Sequence, residues 1–222
     1  MGIVNGVWLE ELTWPEAKQR FNAGAAVAIP IGAASKAHGP HLPLKTDALT
    51  ARALAQALIA RLPIVAAPVL GFGYYPAFTS FAGSQHLSAD TFKSVVRELM
   101  ANFATHGVRR LILINTGVST EKPLDEVAGE ALVLHMRLLG KAAESLVENK
   151  EGGHADERET SVMLALEPRA VRLDRLELDG PFEKTGATGD PRRATAFKGE
   201  RLLAARVDDM VAAITRRWPD LA

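Results

Sequence analysis

The sequence predicts an α/β fold, a three-layer αβα sandwich around a mainly parallel central sheet. Three observations predict it. Apolar runs of strand length alternate with longer segments of helical period. Those runs are continuous rather than alternating, as in strands covered on both faces. No linker divides the 222 residues into two sets of core elements, so one domain over 1–222 is expected.

The elements follow in order. TWPEAKQRF starts a helix, because Thr13 and Glu16 have capping-box spacing and Pro15 falls in the first turn. AAVAIPIG (25–32) is the first buried strand, and an Ala- and Leu-rich helix follows from about Asp47 to Arg61, ahead of Pro63. IVAAPVL (64–70) is the second strand. Phe92, Val95, Val96, Leu99, Met100 and Phe103 lie on one helical face, so 89–105 is an amphipathic helix capped by Ser88 and ended by Gly107. RRLILIN (109–115) and ALVLHMRL (131–138) are the third and fourth strands. GGHADERETSVMLALEP (152–168) reads as a helix with an acidic start, and TGATGDPRRATAFKG (185–199) as a loop. The last helix, about 198–217, buries Leu203, Val207, Met210, Val211 and Ile214.

Composition narrows the function. Lys+Arg 26 balances Asp+Glu 26, so nothing draws the chain to nucleic acid or an anionic membrane, and a small-molecule substrate is expected. With no cysteine, disulfides, iron–sulfur clusters and thiolate zinc sites are excluded, and a metal must use His, Asp or Glu. The first residues lack a leader pattern, and Gly6 stands where a myristoylation signal needs Ser or Thr, so a cytoplasmic protein is expected.

In parallel sheets ligands bind beyond the carboxyl ends of the strands, which here are the loops 32–46, 71–88 and 116–122. The first holds KAHGPHLPLKTD, where Pro40 keeps His38 and His41 off a helix. His38, His41 and Asp47 suit zinc, manganese or iron, though Asp47 equally suits the start of the following helix. A second cluster, His154, Asp156, Glu157 and Glu159, offers acid–base and ligand groups, while acids in a first helical turn also offset the helix dipole. Ser84 and His86 lie in GSQHLS without a nucleophile elbow. NTGVST, with Thr116, could hold an anion on backbone N–H groups, and Tyr74, Tyr75, Phe78 and Phe81 could wall a pocket.

Taken together these segments resemble the creatininase (creatinine amidohydrolase) family. PIGAASKAHGPHLPLKTD is similar to P-x-G-x-x-E-x-H-G-P-H-L-P-x-x-T-D, GSQHLSADTF stands in place of the P-G-T segment, and LILINTGVST is similar to the strand ending in N-G-H-x-x-N. GGHADERETSVMLALEP is similar to H-A-G-x-x-E-T-S-x-M-L-A-x-x-P, and TGATGDPRRATAFKGERLL to G-x-x-G-D-P-x-x-A-T-x-x-K-G. The resemblance implies an α/β domain with a metal site at the strand ends, hydrolysis of an amide, lactam or formamide C–N bond, and homo-oligomers. It assigns His38 and Asp47 to the ligands, and His154 and Glu159 to groups facing the site. Two family ligands are missing. The glutamate slot falls on Ser35 or Lys36, next to Ala37, and Gly117 stands in the slot of the N-G-H histidine.

The expectation is therefore one divalent ion, zinc first with manganese or iron as alternatives, on His38, Asp47 and Glu159, with His154 or His86 as possible replacement ligands. His154 or Glu157 is expected to move the proton, and Ser84, His86, Thr116 and Tyr75 to contact substrate. The alternative is a metal-free, non-catalytic binder of a small molecule or anion that kept the pocket after losing ligands.

Overall fold

The computed structural model describes residues 6–176 and 179–222. Met1 to Asn5, where part of the leader reading falls, lie outside them. Five strands, β1 (Val7–Trp8), β2 (Val27–Ile31), β3 (Val65–Ala66), β4 (Leu111–Asn115) and β5 (Leu132–His135), form one sheet. Their order is β1-β3-β2-β4-β5, and every pairing is parallel. Between them run α1 (Trp14–Asn22), α2 (Thr46–Ile59), α3 (Ala89–Thr105) and α4 (Glu121–Asp125). After β5 come α5 (Glu157–Leu166), α6 (Phe182–Thr185) and α7 (Ala196–Arg217).

Successive residues of a strand point to opposite faces, and the two faces carry separate cores. Ala26, Ala28, Ile112, Ile114 and Leu134 pack with Leu54 and Leu58 of α2 and with Val207, Met210 and Ile214 of α7. Val27, Ile29, Ile31, Val65 and Leu113 pack on the other side with Ala17 and Phe21 of α1, Phe92 and Val96 of α3, and Leu124 of α4. Each fully buried Leu or Ile contributes about 1.5–3 kcal/mol, so the continuous apolar runs hold the three layers together. Among the described residues no helix is long and apolar enough to cross a membrane.

Several bounds differ from expectation for local reasons. The second apolar run pairs only at Val65–Ala66, because Pro68 has no N–H to donate; contact resumes as a bridge from Leu70 to Ile31. β1, too short to show periodicity, was not anticipated. α5 starts at Glu157 rather than 152, since the Asp156 side chain caps it by accepting the N–H groups of Arg158 and Glu159. That leaves His154 on the preceding loop. In the last helix, Leu202 is fully buried and Arg206 nearly so, while Leu203 and Val211 are only partly covered.

The site depends on how α5 meets α7. Gly199 lies where the helices touch, and a β-carbon there would run into the main-chain carbonyl of Ser161. Gly199→Ala is expected to destabilise the fold by about 1–3 kcal/mol, as overpacked contacts do. Urea denaturation checks this, and an unchanged midpoint would refute so close an approach.

Candidate functional site

The loop that leaves β2 turns its charged groups inward. Lys36, His38, His41 and Asp47 are 4%, 0%, 0% and 2% exposed. A buried carboxylate needs cations or hydrogen-bond donors around it. The Asp47 Oδ2 lies 2.6 Å from Lys36 Nζ, a close ion pair without the alignment of a good hydrogen bond. Its Oδ1 lies 3.0 Å from His38 Nε2. The Lys36 ammonium also stands 5.3 Å from the centre of the Tyr75 ring and 4.9 Å from that of Phe78. Burial pushes the Asp47 carboxyl up, but Lys36 and His38 outweigh it and hold the group well below the usual carboxylate range. Of the three residues near the missing glutamate's slot, Lys36 is the one that meets Asp47. Ser35 donates to the Gly83 carbonyl, and the Ala37 N–H donates to Ser84 Oγ.

Beside this pair, His38, His154 and Glu159 converge, each offering one ligand atom within 4.8 Å of the others. The His154 Nε2 is 2.8 Å from the Ala37 carbonyl oxygen. A carbonyl only accepts, so Nε2 carries the proton and Nδ1 keeps its lone pair, 3.6 Å from Glu159 Oε2. Burial, then the His38 and Lys36 charges, press the His154 ring well below the usual histidine range, so it is neutral. Burial pushes the Glu159 carboxyl up. Ala155, at φ 51°, is the one non-glycine residue in the left-handed region among the described residues, and its N–H donates to Glu159 Oε2 at 2.6 Å. His38 has both ring nitrogens toward acceptors, Nδ1 at 2.8 Å from the Lys36 carbonyl and Nε2 toward Asp47. With Nδ1 donating to the Lys36 carbonyl, Nε2 is the nitrogen left to face a cation beside the Asp47 carboxylate. Two imidazoles and a carboxylate therefore fit one divalent ion. In this trio His154, expected as a possible replacement ligand, joins His38 and Glu159, while Asp47 stands beside it paired with Lys36.

The remaining candidates are distributed differently. Glu157 is fully buried away from the trio and accepts from the N–H groups of Glu148 and Asn149 and from Lys198 Nζ, at 3.0, 2.7 and 2.6 Å. Burial raises its carboxyl, but these donors overcome that and leave it lowered. So saturated a carboxylate ties α5 to α7 and is badly placed to move protons. Ser84 holds the backbone at Ala37, and His86 Nδ1 accepts the Tyr75 N–H at 3.0 Å. Tyr75 is buried against Lys36. Thr116 lines the cavity described below, but its hydroxyl and N–H both go to the Ile31 carbonyl, and the Gly117 N–H goes to Asn115 Oδ1. Those two amides are thus already engaged within the fold. A β-carbon at Gly117 would stand 2.9 Å from the Thr120 hydroxyl, so the slot of the missing histidine is closed.

A cavity of about 490 Å³ opens beside the trio at the ends of β4 and β5, reaching His154 and Glu159. Arg206 of α7, 6% exposed, also lines it and was not anticipated from the sequence. The signal was present: Arg206 lies three residues after Leu203 and four before Met210, on the apolar face of its helix.

The family model described as creatininase, creatinine amidohydrolase, matches residues 10–214. The chain belongs to the creatininase family. It is 30% identical to a mycofactocin precursor peptide peptidase of Mycobacterium tuberculosis over 94% of this chain and 92% of that one. It is 27% identical to the creatinine amidohydrolase of Pseudomonas putida, over 96% and 98%. Among solved structures, a manganese creatininase superposes with a TM-score of 0.82 at 26% identity, covering 96% of this chain and 99% of that chain. A mutant creatininase complexed with creatine gives a TM-score of 0.82 at 25% identity, with the same coverage.

Two expectations follow. Lys36→Met leaves the Asp47 carboxylate buried without its main partner, and should cost about 3–5 kcal/mol in urea denaturation at pH 7. A loss under 1 kcal/mol would mean that the ion pair is not the anchor. His41, whose Nε2 meets Thr160 Oγ1 at 2.8 Å while Nδ1 has no partner among the described residues, is lowered to about 4 by burial and then by His38. Its folded pKa is below the unfolded value, so its contribution is complete above about pH 6.5 and is lost as the pH falls to about 4. Stability should therefore drop across that window, by less in His41→Gln; equal slopes for both proteins would contradict it.

Proposed function

We propose that this chain hydrolyses an amide-type carbon–nitrogen bond in a small molecule, using one divalent ion held by His38, His154 and Glu159. The observation that carries this reading is the convergence of that trio beside a cavity, on the loops where its relatives' motifs fall. Zinc suits two imidazoles and a carboxylate, with manganese and iron as alternatives. When bound, the ion activates water near neutral pH and polarises the carbonyl under attack.

The chain's own residues do the rest. The Lys36 carbonyl holds His38 through Nδ1, and the Ala37 carbonyl fixes the His154 tautomer, as partners behind metal ligands commonly do. Lys36 supplies a fixed positive charge that neutralises Asp47, so the site needs one ion where a bare Asp47 would call for more. Burial disfavours charge on both groups, pressing the His154 ring down and pushing the Glu159 carboxyl up, so a cation between them would offset the cost of keeping Glu159 ionised.

Elemental analysis after purification without chelator should give one zinc, manganese or iron per chain. His38→Ala, His154→Ala and Glu159→Gln should each lower ion affinity at least about tenfold. A chain that takes up none of the three metals, and hydrolyses no amide or formamide in their presence, would leave the metal-free binder in its place.

A further inference from the structure

The cavity beside the trio holds a cation that nothing in the fold uses. Its other cations have partners. Arg137 makes a two-point contact with Glu121 at 3.0 and 2.7 Å, and Arg158 meets Glu144 at 2.9 Å and Asp156 at 2.9 Å. Lys150 donates to the Glu144 carbonyl and Lys141 to the Arg137 carbonyl. Arg206 has no ion pair and no hydrogen bond among the described residues, and its Nε is buried without a partner. A buried, unmatched guanidinium is costly to keep. Glu144, Asp156 and Glu159 supply only a diffuse field of opposite sign, against that of Arg158.

We propose that Arg206 is the anchor for a carboxylate on the substrate, so that the molecule cleaved is an N-acylated amino acid or short peptide with a free acid group. This rests on the hydrolase reading above, since the scissile bond must lie at His38, His154 and Glu159 while the acid lies at Arg206. A guanidinium binds a carboxylate through a planar pair of hydrogen bonds. Among the described residues Arg206 is the cavity cation with neither an ion pair nor a hydrogen bond, which suits one monoanion, and the acids nearby disfavour a phosphate dianion.

Titration calorimetry with N-acetyl-L-leucine and N-acetyl-L-leucinamide tests it, on the wild type, Arg206→Met and Arg206→Lys, with zinc content measured in each. The wild type should bind the acid at least about tenfold tighter than the amide, a difference of about 1.4 kcal/mol. Arg206→Met should reduce that ratio below about twofold with zinc content unchanged, and Arg206→Lys should fall between, because it keeps the charge and loses the fork. If Arg206→Met does not fold, the wild-type ratio and Arg206→Lys decide. A wild type that prefers neither ligand, or binds neither, overturns the proposal, as does a preference that survives in Arg206→Met. Tighter binding of inorganic phosphate than of the acid overturns the choice of a carboxylate. A preference that persists in protein unable to bind any metal refutes the hydrolase reading while leaving the anion anchor standing.

Discussion

The buried pair of Lys36 and Asp47 is the contact on which the site depends. Asp47 begins α2 and is almost wholly excluded from solvent, so its charge must be met inside the protein. Lys36 meets it at 2.6 Å, and the same carboxylate holds the His38 ring at 3.0 Å. Fixing Lys36 fixes the backbone of the next two residues. The Ala37 carbonyl then reaches His154, and the Lys36 carbonyl reaches His38 Nδ1. One ion pair thus sets the orientation of both imidazoles.

The sheet supplies the frame. Parallel strands bring the loops after β2 and β4 to one end, and the covered apolar runs keep them there. The third wall comes from α5, whose position is set by α7 through the close approach at Gly199 and the Lys198–Glu157 contact at 2.6 Å. Two acids close together in α5 therefore have opposite fates. Glu157 points toward α7 and the backbone amides that saturate it, whereas Glu159, about 200° further around the helix, faces His154 and the cavity.

Relative to the family pattern, the chain keeps the imidazole and aspartate of the β2 loop and the later histidine and glutamate, and replaces an acid by a base. The substitution changes the charge within the loop by two units. Where the N-G-H histidine would stand, Gly117 is crowded by Thr120, whose hydroxyl donates to Asn115 at 2.7 Å, so that strand end is closed by its own hydrogen bonds.

The order of strands β2 to β5 and of α1, α2, α3, α5 and α7, and the candidate ligands on the loops after β2 and before α5, were legible in the sequence alone, because apolar runs, helical period and capping residues act over a few neighbours. The loss of two family ligands was equally legible. Only the tertiary structure decided that Lys36 turns inward onto Asp47, that His154 converges with His38 and Glu159, that Glu157 is saturated by backbone amides and Lys198, and that Arg206 faces the cavity. Each of these depends on contacts between residues far apart in the chain. A charged residue's role is set by the partner that shares its burial, and local pattern carries no record of that partner.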